Sequence, residues 1–319
     1  MKRAVFVAVI AVAGALGVLA IDEQDVLADR EGSRVCYKTK DSFSVPRGSI
    51  RWFESGSQGS CNGDERELAA SDLLKGSLMT EKLANAELMD ARLMYLSLDR
   101  VNFSGSNLGS ARLNGSSLVK ANFSKAILST TVFDFVDARQ ANFSDITEMY
   151  VSSRAGDFAG SDLSRSTNIR LEGGNFSDAK FFKSSVSGIT DANLTNVDFR
   201  TTIFIPSSTF INRSNLTNAN FSKVEFNGRV DFASNDLTRT NFAGAKFIAT
   251  DDENYTEFNG SVMKATNFRG VRFENVVFQG VDMTSTQLTG TTWKNTICPD
   301  GTNSDNNGAT CLGHLKPLP

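Results

Sequence analysis

The chain lacks most of what chemistry at a protein site requires. It has one histidine, His314, and four cysteines with no Cys-x-x-Cys pair among them. A zinc site needs Cys and His ligands clustered at short spacing, so this arrangement speaks against one. There is no Gly-x-Ser-x-Gly elbow and no phosphate-cradling glycine loop, so no nucleophile with an adjacent base can be named. Neither an enzyme, nor a metal, nor a cofactor is expected. Charge of one sign is also lacking: Lys and Arg number 33 against 36 for Asp and Glu, a formal net charge of -3. The totals therefore hold neither the basic excess that nucleic acid demands nor the acidic excess of a nucleic-acid mimic. After the first twenty or so residues no apolar run approaches the length of a membrane span.

That first run is itself informative. Lys2 and Arg3 precede an uncharged apolar stretch, Ala4 to Ala20, the layout of a secretory signal. Cleavage is expected after Ala20 or Ala28, and the polar spacer Ile21 to Leu27 favours the second. An uncleaved anchor competes, because the run is nearly long enough to span. Residues 1–28 are thus read as a signal peptide, with the mature chain exported to the periplasm, the extracellular space or, in a photosynthetic source, the thylakoid lumen, and with no membrane span once the signal is removed. The cysteines fit an oxidising compartment: Cys36 and Cys61 lie near one end, Cys298 and Cys311 near the other. Four cysteines allow three pairings. Locality favours Cys36 with Cys61 and Cys298 with Cys311.

Between these clusters runs a beat of five. Leu68, Leu73, Leu78, Leu83, Leu88, Leu93, Leu98, Phe103, Leu108, Leu113, Leu118, Phe123, Leu128 and Phe133 follow at constant spacing, with small residues such as Ala86, Ala91, Ala111, Ala121 and Ala126 two places ahead of the large ones. Five residues of helix turn about 500°, so successive large side chains would step round the axis by roughly 140°. In a straight strand an odd spacing sends alternate ones to opposite faces. Only a chain that bends once per five residues keeps them all inside, and stacked coils can then satisfy one another's backbone groups.

Segments such as Ala121-Asn122-Phe123-Ser124-Lys125, Ala141-Asn142-Phe143-Ser144-Asp145, Ala192-Asn193-Leu194-Thr195-Asn196 and Ala219-Asn220-Phe221-Ser222-Lys223 resemble the pentapeptide-repeat family, with its consensus Ala-(Asp/Asn)-(Leu/Phe)-x-x. The resemblance covers about residues 66 to 295 and implies an all-β fold over residues 66–293: a right-handed quadrilateral β-helix, four pentads to a coil. About ten coils are expected, a rod on the order of 50 Å at the strand spacing. Residues 29–65 and 294–319 are read as disulfide-closed caps, since open coil ends expose unpaired backbone. Slips in phase place insertions at Thr147 to Arg154, Ser166 to Arg170, Pro206 to Ser208 and Ala249 to Glu257. Phe centres late in the chain should widen the coil and admit Val271, Val276 and Val281 at the small positions. Asn before each centre is read as a corner-turn residue or a rung of a side-chain ladder, and the sequons it creates with the following Ser or Thr are a by-product. Asn303 to Gly308 opens like a calcium loop, but Asn303 stands for the first Asp and His314 for the closing Glu, so a turn-rich disulfide loop is the reading.

Function must then lie outside the coil. With twenty residues per coil, as the family implies, Leu73, Leu93, Leu113 and Phe133 share a side whose outward residues include Leu74, Lys75, Arg92, Met94, Tyr95, Arg112 and Phe135. Aromatic and Met side chains flanked by Arg match protein-contact surfaces. The adjoining side shows Glu67, Glu87, Met89 and Asp90. The expected partner is an unidentified protein or a second copy of this chain, met on an outer face; nucleic acid is not expected. The leading reading is a non-catalytic exported scaffold or interaction module. The resemblance carries an alternative, since some members resemble duplex DNA and bind DNA gyrase, conferring fluoroquinolone resistance. The near-neutral charge and the signal both depart from that pattern.

Overall fold

A computed structural model describes residues 83–85, 88–89, 93, 98–205, 209–248 and 255–317, together with five short strands nearer the N-terminus for which only the backbone is described. Two of these, Val9–Val12 and Ala15–Val18, pair antiparallel within the apolar run. The other three form an antiparallel sheet with Arg34–Lys38 between Ile50–Phe53 and Glu65–Ala69. Leu68, the first centre of the beat, therefore sits in this sheet opposite Val35. Cys61 and the side chain of Cys36 lie outside the described residues, so the expected N-terminal bridge does too. No helix among the described residues is long and apolar enough to cross a membrane.

By its contacts the chain divides into two compact units, Met1–Asp157 and Phe158–Pro319. In the first, bridges join Asn102 to Asn122, Asn107 to Ile127, Arg112 to Val132 and Ser117 to Asp137, all parallel. Four sides of five residues each thus return the chain to its starting side. Leu83, Leu88, Leu93, Leu98, Phe103, Leu108, Leu113, Leu118, Phe123, Leu128 and Phe133 are all buried, and so are the small residues Ala111, Ala121 and Ala126. Rings on one side stack at the spacing of the coils: Phe103 to Phe123 and Phe123 to Phe143 are each 4.9 Å apart.

The second unit contains about seven turns, with Leu163, Phe181, Phe199, Phe221, Phe242, Phe268 and Leu288 on one side. The expected total of about ten, at the strand spacing, also counted the first unit and residues mostly outside those described. Parallel strands Ile169–Glu172, Ser185–Thr190, Thr209–Asn212, Val230–Asp231, Thr256–Glu257 and Val276–Val277 pair in that order on one side. Glu225–Asn227, Lys246–Ile248, Arg272–Glu274 and Thr292–Lys294 do so on another. Columns of rings fill the interior, among them Phe226, Phe247, Phe273 and Trp293. Val271, Val276 and Val281 are buried at the small positions.

Corners are where the chain is strained. A turn closes from each centre to the residue three on, as from Leu118 O to Ala121 N at 2.9 Å. Its third residue has positive φ, and Lys120 (60°), Lys125 (60°), Thr130 (58°), Phe135 (57°) and Gln140 (59°) all adopt it without being glycine. Each such residue costs about 1 kcal/mol relative to ordinary backbone. What holds it is the stack: the Lys120 N–H donates to Arg139 O and the Lys125 N–H to Ser144 O in the next coil, at 2.9 and 3.0 Å. Buried hydroxyls of the small positions add a bond between coils, from Ser116 to Leu93 O (2.6 Å), Thr131 to Leu108 O (2.8 Å) and Thr240 to Leu216 O (2.8 Å).

Asn before a centre performs both expected roles at once. The Asn122 Oδ1 accepts the Ser124 N–H (3.0 Å) and the Asn142 Nδ2–H (3.1 Å), while the Asn122 Nδ2 donates to Asn102 Oδ1 (3.0 Å). In the second unit Asn193 donates to Asn175, Asn241 to Asn220 and Asn267 to Asn241. Amide contacts between coils, at these rungs and at the corner residues Asn196, Asn218, Asn275 and Asn295, also measure each coil: 20 residues from Asn102 to Asn122, 18 from Asn175 to Asn193, 22 from Asn196 to Asn218, 21 from Asn220 to Asn241, 26 from Asn241 to Asn267 and 20 from Asn275 to Asn295. The long coils of 22 and 26 enclose 206–208 and 249–254, which lie outside the described residues.

Two expected insertions are absent. Across 147–154 the spacing stays regular, Val132 to Ser152 and Asp137 to Asp157. Tyr150–Ser152 is a strand, with Met149 and Val151 both buried. Around 166–170 the coil is shortened, to 18 residues between Asp162 and Lys180, and Ile169 and Leu171 point inward from a strand. In both places apolar residues two apart replace those five apart, and a strand turns both to the same side. The beat slips in sequence without adding a loop.

The C-terminal tail takes the place of a next coil. Pro299 O accepts the Gly280 N–H (2.9 Å) and Leu315 O the Met283 N–H (3.0 Å). Cys298 and Cys311 are bridged and fully buried. A short 3-10 helix, Ser304–Asn307, is capped by Asn303, whose side chain also donates to Asn295 Oδ1, and Asp305 Oδ1 accepts the Asn295 N–H. The oxygens of the calcium-like segment thus serve the cap itself. Asp300 Oδ1 accepts from the Thr302 hydroxyl (2.7 Å) and N–H (3.0 Å), and its Oδ2 meets His314 Nδ1 at 2.6 Å.

Replacing Asn122 by Ala removes its donation to Asn102 and its cap on Ser124, and strands the Asn142 amide. We expect a loss of about 2 kcal/mol from these modest bonds, read as a lower urea midpoint; an unchanged midpoint would rule out the ladder as a stabilising element. Asp300 is lowered from 3.8 to about 2, first by the Thr302 hydroxyl, against burial, and then by the Thr302 N–H and His314. A depressed carboxylate stabilises fully above 3.8 and ceases to do so as pH falls toward 2. Amides of residues 298–316 should therefore exchange faster only within that acid window. Thr302→Val should raise the Asp300 midpoint in a carboxyl NMR titration; an unmoved midpoint contradicts this account.

Candidate interaction surfaces

The interior is occupied by packed side chains along every column, and the buried hydroxyls named above are bonded to backbone carbonyls. Among the described residues no group of three or more His, Cys, Asp or Glu side chains is placed to hold a metal. What the described residues present to a ligand is therefore their outer sides and corners.

In the first unit the Leu93 N–H donates to Arg112 O and the Leu113 N–H to Val132 O. Leu93, Leu113 and Phe133 therefore form one column. Arg112 and Phe135 belong to that side, both exposed, while Leu74, Arg92, Met94 and Tyr95 lie outside the described residues. Phe135 stands at the corner with its ring in water, 61% exposed, on left-handed backbone. A bulky side chain in that region is a rare placement. Its neighbour Asp134 is nearly buried and receives Arg154 through Nε (3.1 Å) and NH2 (2.8 Å). Burial pushes the Asp134 carboxyl up, but the Arg154 side-chain and backbone bonds outweigh it and hold the group below its ordinary range. Met89 and Ile127, on the adjoining side, are also largely exposed.

Sequence reasoning missed a second surface. In the second unit a groove of about 550 Å³ is lined by Asp178, Lys180, Phe182, Asn196, Asp198 and Arg200, among others. Here the amide ladder stops: the positions held elsewhere by Asn are Asp162, Lys180 and Asp198, bridged in that order. Phe182 is 51% exposed, and the Lys183 ammonium lies 5.3 Å from its ring centre. Arg200 grips Asp198 with bonds of 2.7 to 3.0 Å, and this side-chain contact keeps the carboxyl low against burial. Asn196 donates to Asp178 Oδ1 at 3.1 Å. Two signals in the sequence mark the place, the replacement of Asn by Lys180 and the shortening of the spacing from 20 to 18.

Comparison with known proteins bears on the repeat itself. The family model for pentapeptide repeats matches eight copies, at residues 106–145 and 256–292. Among solved structures, HetL, a pentapeptide repeat protein involved in heterocyst differentiation regulation from the cyanobacterium Nostoc sp. strain PCC 7120, is 18% identical, with 69% of this chain and 92% of that one covered and a TM-score of 0.27. Full-length QnrB1, a plasmid-mediated fluoroquinolone resistance protein, is 21% identical over 64% of this chain and 92% of its own, with a TM-score of 0.30. A search of curated proteins gives no match. The matched repeats recur within the same coil geometry, parallel rungs five residues apart around four sides with a large residue inside each. The chain carries pentapeptide repeats at residues 106–145 and 256–292.

Proposed function

We propose that this protein is a non-catalytic, exported scaffold that engages a protein partner, or a second copy of itself, through the outer side carrying Arg112 and Phe135. The observation that carries the reading is Phe135: an aromatic ring kept in water on backbone that disfavours it. Glycine would remove that strain, and a large aromatic with Arg nearby is the composition of an interface anchor. The Asp134–Arg154 pair beside it supplies a fixed polar rim. Export is supported by the N-terminal charge and apolar pattern and by the buried Cys298–Cys311 bridge, since disulfides persist in oxidising compartments. The gyrase-directed reading rests on the repeat that this chain shares in kind with QnrB1, and the near-neutral charge weighs against it.

Phe135→Gly keeps the corner while deleting the ring. The variant should be at least as stable as the parent, by up to about 1 kcal/mol, yet lose its partner or fall in oligomeric mass by light scattering. If mass and every co-purifying protein stay the same, the proposed side is not the interface. Export is checked by the intact mass of the native protein from fractionated cells. A chain starting at Asp29 or Ile21 in the exported fraction, with all four cysteines oxidised, is the expected result. A full-length reduced chain in the cytosol overturns it and makes gyrase inhibition the assay to run.

A further inference from the structure

The groove around Phe182 brings three features together. First, the side-chain ladder is broken there. A lysine has no acceptor, so Lys180 can neither cap the Phe182 N–H nor extend the row of rungs. Among the described residues no ion pair forms to its ammonium. Second, the core beneath is disturbed. Phe181 and Phe199 are tilted by 44°, whereas Phe199, Phe221, Phe242 and Phe268 succeed one another within 14°. Third, an exposed aromatic ring lies beside carboxylate, amide and guanidinium groups whose positions are fixed by their own bonds, Arg200 to Asp198 and Asn196 to Asp178.

The charges decide what can bind. Arg200 is spent on Asp198, and the backbone of Lys180 is bridged to Asp162 on one side and Asp198 on the other. An anion would meet the two lining carboxylates, Asp178 and Asp198; a cation would meet Lys180 and Arg200. A neutral ligand meets neither penalty. It would still need hydroxyl or amide groups for these fixed donors and acceptors, and an apolar face for the ring. Groove volume is within the range of small-molecule sites.

We infer that this groove binds a neutral carbohydrate chain, with Phe182 stacking on the apolar face of one pyranose and with Lys180, Asp178 and Asn196 bonding its hydroxyls. Coils repeat along the groove at the ring-stacking distance of 4.6 to 5.0 Å, so successive sugars of an extended chain would meet successive coils. An exposed aromatic with planar polar groups recognises sugars because a pyranose has one apolar face and a rim of hydroxyls that each donate and accept.

The test is calorimetric titration of the full chain with a panel of neutral linear hexasaccharides: β-1,4-glucan, β-1,3-glucan, α-1,4-glucan, β-1,4-mannan and chitohexaose. A sulfated hexasaccharide serves as the anionic comparison. At least one neutral member should bind, and Phe182→Ala should weaken it about tenfold, the scale of one lost aromatic contact. Phe182→Trp should retain it. Lys180→Asn restores a ladder residue, so the variant should melt no lower than the parent and still bind more weakly. Binding by the sulfated sugar alone, no binding by any neutral member, or equal binding by parent and Phe182→Ala each overturns the inference. The unchanged melting of Phe182→Ala, whose side chain is exposed, separates loss of the site from loss of the fold. This outcome is independent of the Phe135 side, which Phe135→Gly tests alone.

Discussion

Everything in this molecule depends on one distance, the separation at which the backbone of one coil hydrogen-bonds the next. The turn at each corner closes within the coil, but the N–H of its left-handed residue points along the stack and must find a carbonyl there. Lys120 finds Arg139 and Phe135 finds Arg154. Without the neighbour, each corner keeps its strain and loses its bond. A single coil is therefore unstable, and stability is gained by addition, coil upon coil. The same distance suits the interior, because aromatic rings stack at close to the spacing of strands, and it suits the surface, where Asn side chains reach from one coil to the next.

That common spacing explains why the chain tolerates irregular coils. A coil of 18, 21, 22 or 26 residues preserves the axial bonds provided its extra or missing residues fall between rungs. Strand segments at Tyr150–Ser152 and Ile169–Glu172 do so by facing alternate residues inward. The tail does so at the end, offering Pro299 O and Leu315 O where a further coil would offer its own carbonyls, while the Cys298–Cys311 bridge holds the tail in place. The cap is thus built from the same axial bonds as the repeat.

The fold was legible because a spacing of five has only one economical solution, and each large residue from Leu83 to Phe133 lies where that solution puts it. The Asn roles and the C-terminal bridge were legible for a related reason, since both follow from local chemistry. The slips were read less well. A change of phase in sequence looks the same whether a loop is inserted or a strand replaces a corner, and only the register of neighbouring coils separates them. Leu68 continues the beat, yet it pairs in an antiparallel sheet. A five-residue spacing does not say which partner a segment takes.

Surface sites were the hardest to read because the coil places no demand on outward residues beyond the corner and the rung. Phe135 and Arg112 could be assigned to one side by counting coils, since regularity fixes direction. The groove at Lys180 could not, because its members come from coils whose length had changed, and counting by twenty misplaces them. Its signature is a departure from the pattern: a lysine where the ladder asks for an amide, an aromatic where it asks for Ser or Thr. In a repeat whose regular positions are occupied with holding the stack, such departures weaken the stack and are retained only where something else offsets them. That is why the proposed groove is read from a broken rung, whereas the proposed interface is read from a regular face.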